Sequence, residues 1–136
     1  MIEQTRVAVI GAFVSGWTGA AAIPVGLPNQ TLKVPASGAY GRLTLQLGDR
    51  ASAAIGACRV RMIGVLFLQV FTPEGQGIRA AARAADLFST IFDLKTIAID
   101  DGLVAVFSHV GSNGTGNREG IEQTNVTVDF RVDLTT

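Results

Sequence analysis

Arg59-Val60-Arg61-Met62-Ile63-Gly64-Val65-Leu66-Phe67-Leu68-Gln69-Val70-Phe71 is the stretch on which the fold turns. Arg59 and Arg61 alternate with Val60 and Met62, the two-residue period of a strand. After Gly64 the run Val65-Leu66-Phe67-Leu68 is apolar at consecutive positions, as in a strand covered on both faces. A central strand is expected here. Upstream, Leu43, Leu45 and Leu47 alternate with Arg42, Thr44 and Gln46, which reads as a half-buried strand. Residues 49–57, Asp-Arg-Ala-Ser-Ala-Ala-Ile-Gly-Ala, form a small-residue connection. The two strands should make a long antiparallel hairpin with a mobile tip.

Downstream, Thr72-Pro73-Glu74-Gly75-Gln76-Gly77 stops the strand, and Ile78 to Phe92 reads as a helix. Ile78, Ala81, Ala85, Phe88 and Phe92 form its apolar stripe, widened by Leu87 and Ile91. Thr96–Ile99 and Leu103–Val110 read as two short strands joined at Asp100-Asp101-Gly102, a hairpin turn. Gly111 to Gly120 is polar and glycine-rich, the composition of a mobile loop. Val126, Val128, Phe130, Val132 and Leu134 then alternate with polar residues, a strand with one face buried. At the other end, residues 2–17 read as a helix with Ile10, Phe13, Val14 and Trp17 on one face. Pro24 and Pro28 make 19–29 a loop with a short extended piece at Ile23 and Val25, and Pro35 to Gly38 a turn.

The order α, β-hairpin, α, β-hairpin, β argues against a doubly wound parallel sheet. It points to an α+β fold: one mostly antiparallel or mixed sheet of about four to five strands, two helices on one face, and a long β-hairpin. With neither repeat nor internal boundary, residues 1–136 are expected to form one domain.

Composition narrows the function. Eleven Lys and Arg balance eleven Asp and Glu, charged residues make up only 16% of the chain, and hydrophobic residues reach 48%. An average soluble domain carries roughly 25% charge. So little charge implies that something else covers part of the surface. Neutrality argues against general nucleic-acid binding, and the apolar content argues against disorder. The longest strongly apolar run, Ile63 to Phe71, is too short to span a bilayer as a helix. Val7 to Val14 followed by Ala20-Ala21-Ala22 resembles a signal core and cleavage site, but Glu3 offsets Arg6, and no secretion signal is expected.

No catalytic set assembles from the residue types. Cys58 stands alone, so neither an intrachain disulfide nor a thiolate-built zinc site is expected. His109 is the one histidine and the only residue around which a base, a metal ligand or a small-molecule site would form. A partly exposed strand-end histidine explains it more simply. Gly111-Ser-Asn-Gly114-Thr-Gly116 lacks the Gly-Lys-Ser/Thr ending and following helix of a phosphate loop. The triplets at Asn29, Asn113 and Asn125 matter only in a secretory pathway. Nine of the eleven cations are Arg, the cation favoured at desolvated subunit contacts, and Arg42, Arg50, Arg59 and Arg61 all lie on the hairpin. No cofactor is expected.

Ile-Pro-Val-Gly-Leu-Pro-Asn (23–29), Arg-Leu-Thr-Leu-Gln-Leu (42–47) and Arg-Met-Ile-Gly-Val-Leu-Phe-Leu-Gln-Val-Phe-Thr-Pro-Glu-Gly-Gln-Gly (61–77) precede an Ala-rich helix ending Leu-Phe-Ser-Thr-Ile-Phe. Together they resemble the tail terminator, or tail-completion, proteins of long-tailed phages, prophages and gene transfer agents. The resemblance covers most of the chain. It implies a non-enzymatic virion protein, assembled in the bacterial cytoplasm. Such a protein forms a hexameric ring on the head-proximal end of the tail tube. It stops tube polymerisation, joins the head-completion or neck proteins, and lets DNA through its lumen. On that basis Arg42, Arg50, Arg59 and Arg61 should face a neighbouring subunit or the tube, with Arg59 and Arg61 pairing across the boundary with Asp129 or Asp133. Residues 48–58 should face the tube or a neighbour. Gly111, Asn113, Gly114, Gly116 and Arg118 should form a loop that orders on docking a partner, with no membrane involved. The alternatives are another neck or tail-tube-like protein, or a small-molecule module or enzyme centred on His109.

Overall fold

The computed structural model describes residues 1–18, 23–28, 30, 38–52, 59–73, 79–100, 103–118 and 120–135. Among them the element order is α1 (Ile2–Thr18), β1 (Val25–Gly26), β2 (Tyr40–Ser52), β3 (Arg59–Pro73), α2 (Arg79–Phe92), β4 (Thr96–Asp100), β5 (Leu103–Phe107), β6 (Gly111–Arg118) and β7 (Ile121–Thr135). The strand order is β1-β2-β3-β7-β5-β4, with β6 also paired to β7. β1 runs parallel to β2 and every other pairing is antiparallel. The architecture is α+β, as expected, but among the described residues the sheet has seven strands rather than four to five.

The hydrophobic periods explain the layers. Met62, Leu66, Leu68 and Val70 on β3, and Val126, Val128, Phe130 and Val132 on β7, point to one face and are buried. α2 buries Ala81, Ala84, Phe88 and Phe92 on the same core, and α1 buries Val9, Phe13 and Trp17. A chain of rings crosses from helices to sheet: Phe13 to Phe88 at 6.4 Å, Phe88 to Phe92 at 4.9 Å, Phe92 to Phe107 at 5.1 Å and Phe107 to Phe130 at 4.9 Å. Each such ring contributes about 1.5–3 kcal/mol by leaving water. The Trp17 indole donates to the Ile23 carbonyl at 2.9 Å, fastening the end of α1 to the segment that leads into β1.

Several sequence expectations shift. Val14 is exposed instead of buried, because α1 turns Val9, Phe13 and Trp17 inward. Ala84, not Ala85, completes the buried stripe of α2, while Ile78 lies outside the described residues. β3 is central, but only one of its faces is covered by the helices. Ile63 is 58% exposed on the other. β2 runs to Ser52, through part of the expected connection. The hairpin tip at 53–58 and the turn at 101–102 lie outside the described residues.

The largest revision concerns 111–120. Residues 111–118 are not a free loop but strand β6, paired to β7 from Gly111–Thr127 to Arg118–Ile121. Gly120, at φ 77°, sits at the turn between them. Glycine content pointed to a loop, yet β7 supplies a continuous backbone template on which side chains are not needed.

Candidate assembly surface

β3 and β7 bring one charged cluster together. In their register Arg61 stands opposite Asp133 and Ile63 opposite Arg131. The Arg61 guanidinium donates to both oxygens of the Asp133 carboxylate, Nε at 2.7 Å and Nη2 at 3.2 Å. Arg131 reaches the same carboxylate at 3.4 Å. The Arg61 hydrogen bond, with help from Arg131, holds the Asp133 carboxyl below its usual range. Within one chain, then, Arg61 and Asp133 are already partners. Cross-strand neighbours on one sheet face are the nearest partners available, and they take the bond first.

The other expected interface residues are spread along the sheet. Arg42 is exposed on β2, opposite Gln69. Asp129 is exposed on β7, and its backbone carbonyl accepts from the Ser108 amide at 2.9 Å. The side chains of Arg50, Arg59 and Arg118 lie outside the described residues. Gly111, Asn113 and Gly114 are exposed along β6, and the register shifts between Gly114 and Gly116.

β5 and β6 follow one another along the same edge of β7, and His109 sits in the break between them. Asp93, one residue past α2, fills that break: its carboxylate accepts from the Val110 amide at 2.7 Å and lies 3.3 Å from His109 Nδ1. The Val110 bond, then His109, lowers the Asp93 pKa. Sequence reasoning missed Asp93, whose one signal was an acid directly after the helix. A carboxyl with a depressed folded pKa contributes stability above its unfolded pKa, near ~3.9, and loses it as pH falls through the lower folded value. Asp93→Ala should speed Val110 amide exchange by about tenfold or more at neutral pH. In the native protein, protection at Val110, corrected for intrinsic exchange, should stay level from neutral pH to about 4 and then fall. Unchanged exchange in the variant would show that the break is held elsewhere.

The side chain that meets the His109 ring, among the described residues, is that of Asp93. Among the described residues no three His, Cys, Asp or Glu side chains gather to hold a metal, and no helix is long and apolar enough to cross a membrane. What the surface offers instead is backbone and apolar area. β6 and most of β2 are edge strands among the described residues, and the sheet face opposite the helices is open.

Such a subunit, with two layers and open sheet edges among the described residues, belongs to the α+β class. The phage tail terminator protein model matches residues 4–130, and the chain belongs to that family. It is a structural protein of the virion tail. No curated protein sequence matches it. One solved structure superposes with a TM-score of 0.75 at 19% identity, covering 97% of this chain and 95% of the other. A chain from the virion of a native gene transfer agent particle superposes at 0.53 with 16% identity, covering 94% and 93%. Identities this low show a shared fold.

Proposed function

We propose that this chain caps the head-proximal end of a tail tube as a hexameric ring, stops tube polymerisation and presents the surface to which neck proteins join. The observation that carries this reading is the family match across residues 4–130. The fold supplies a physical means. A ring needs two unlike surfaces per subunit, so that each contact is heterologous and closes after a fixed rotation. Backbone along β2 and β6 can pair with a neighbour's strand, and exposed Arg42 and Asp129 stand ready for polar contacts across the boundary. Net neutrality suits a conduit through which DNA slides without being held.

Purified protein added to polymerising tube protein should arrest growth, leaving one ring at one end of each tube by electron microscopy. Continued growth, or long tubes built from this chain alone, would overturn the reading. Arg61→Glu sets two carboxylates face to face and should lower the thermal midpoint and weaken ring formation together. The swapped pair Arg61→Glu with Asp133→Arg rebuilds the bridge. If the swap restores folding but not rings, Arg61 also touches a neighbour. If it restores both, its work is confined to one chain.

A further inference from the structure

α1 has two apolar sides. One carries Val9, Phe13 and Trp17 into the core. The side turned away carries Val7, 56% exposed, and Val14, 38% exposed, with Gly11 between them at helical spacing. A glycine inside a helix costs about 1 kcal/mol relative to alanine. Gly16 has a reason within the chain, since a Cβ there would strike the Ile91 side chain at 2.6 Å. Gly11 has none: a Cβ there would meet nothing within 4 Å. Its bare backbone, flanked by two valines, suits close approach by something outside the subunit.

Among the described residues, the second uncovered surface is the sheet face opposite the helices. Ile63, Val65 and Phe67 run along β3 there, and a shallow groove lies beside Ile63 where the β2–β3 register shifts. From the ring reading above, we infer that these stripes are the two halves of one contact: α1 of each subunit lies on the open face of β3 in the next copy. The lengths agree, about 10 Å from Val7 to Val14 on a helix and about 13 Å from Ile63 to Phe67 on a strand. On the open face Arg131 stands opposite Ile63 and Asp129 opposite Val65, so charges of both signs border the sheet stripe, while Glu3 and Arg6 at the start of α1 pair with each other. Helix and open face lie on opposite sides of the subunit, which makes the contact head-to-tail.

The area sets its strength. A helix of 17 residues offers a strip of about 25 by 10 Å, or roughly 500 Å² summed over both partners. Stable pairs bury about 1,200–2,000 Å². One contact alone is therefore weak. Free subunits stay apart, and the contact closes only where the tube end holds several copies together.

The test compares Val14→Asp and Ile63→Asp with a control, Ala82→Asp, on the exposed side of α2, using tail tubes made without the protein. Each variant should keep its thermal midpoint within a few degrees of wild type. Each should need at least tenfold more protein for half-occupancy of tube ends, with the control unchanged. Mixing the two variants should not restore rings, because an open chain of two cannot close. Normal capping by either variant overturns the contact. Wild-type protein that never occupies tube ends overturns the capping reading, and this contact with it. Should either aspartate unfold the chain, Val14→Cys with Ile63→Cys in a Cys58→Ser background replaces it. Oxidation on tubes should give a disulfide ladder of two or more chains, and monomer alone overturns the proposal.

Discussion

Replacing Phe92 by alanine should lower the unfolding free energy by about 4 kcal/mol, the upper part of the range for a buried aromatic. Phe92 is fully buried, and its ring lies 4.9 Å from Phe88 and 5.1 Å from Phe107. It is the ring through which the helix layer meets the sheet. Truncation removes its transfer energy and leaves a cavity between two layers that cannot both collapse inward. In a domain whose whole stability is about 5–15 kcal/mol, this is a large share. The urea midpoint should fall with an unchanged slope, and the thermal midpoint by roughly 10 °C or more. A loss under about 1 kcal/mol would mean that the rings do not hold the layers together.

Gly64→Val should cost about 3 kcal/mol, although valine is among the best strand formers and glycine among the worst. A Cβ at Gly64 would enter the Phe130 ring. Phe130 is 2% exposed and lies 4.9 Å from Phe107, so it has nowhere to turn. β3 is bonded on both sides at this level, Gly64 facing Leu47 on β2 and Phe130 on β7, so its backbone cannot move away. Close packing in the interior then outweighs the local preference of the chain. Gly64→Ala combined with Phe130→Leu should cost clearly less than the sum of the two single changes. A stabilised Gly64→Val protein would contradict the packing described here.

These two residues also show what could be read from the sequence. Phe92 ends a 3.6-residue stripe and Phe130 sits in a strict alternation, so both were legible as core, as were β2, β3, α2 and β7. Gly64 was visible only as an interruption, because its partner lies 66 positions away in the chain. β6 was read as a loop because glycine and asparagine carry no strand signal; β7 creates that strand by offering its edge. β1, Val25–Gly26, falls in the short extended piece expected around Ile23 and Val25, while its parallel pairing with β2 has no local signal. The Arg61–Asp133 bond used residues the sequence had singled out, but whether they met within one chain or between chains depended on register. The apolar run in β3 was read as covered on both faces, but the helices cover only one and Ile63 is exposed on the other, because consecutive apolar residues do not show what lies over each face.

The central claim is that this protein ends the tail tube. Electron microscopy of tails assembled with and without it measures that directly. The account predicts overlong, uncapped tubes in its absence and tails of one defined length in its presence. Tails of normal length, joined to heads without it, would contradict it.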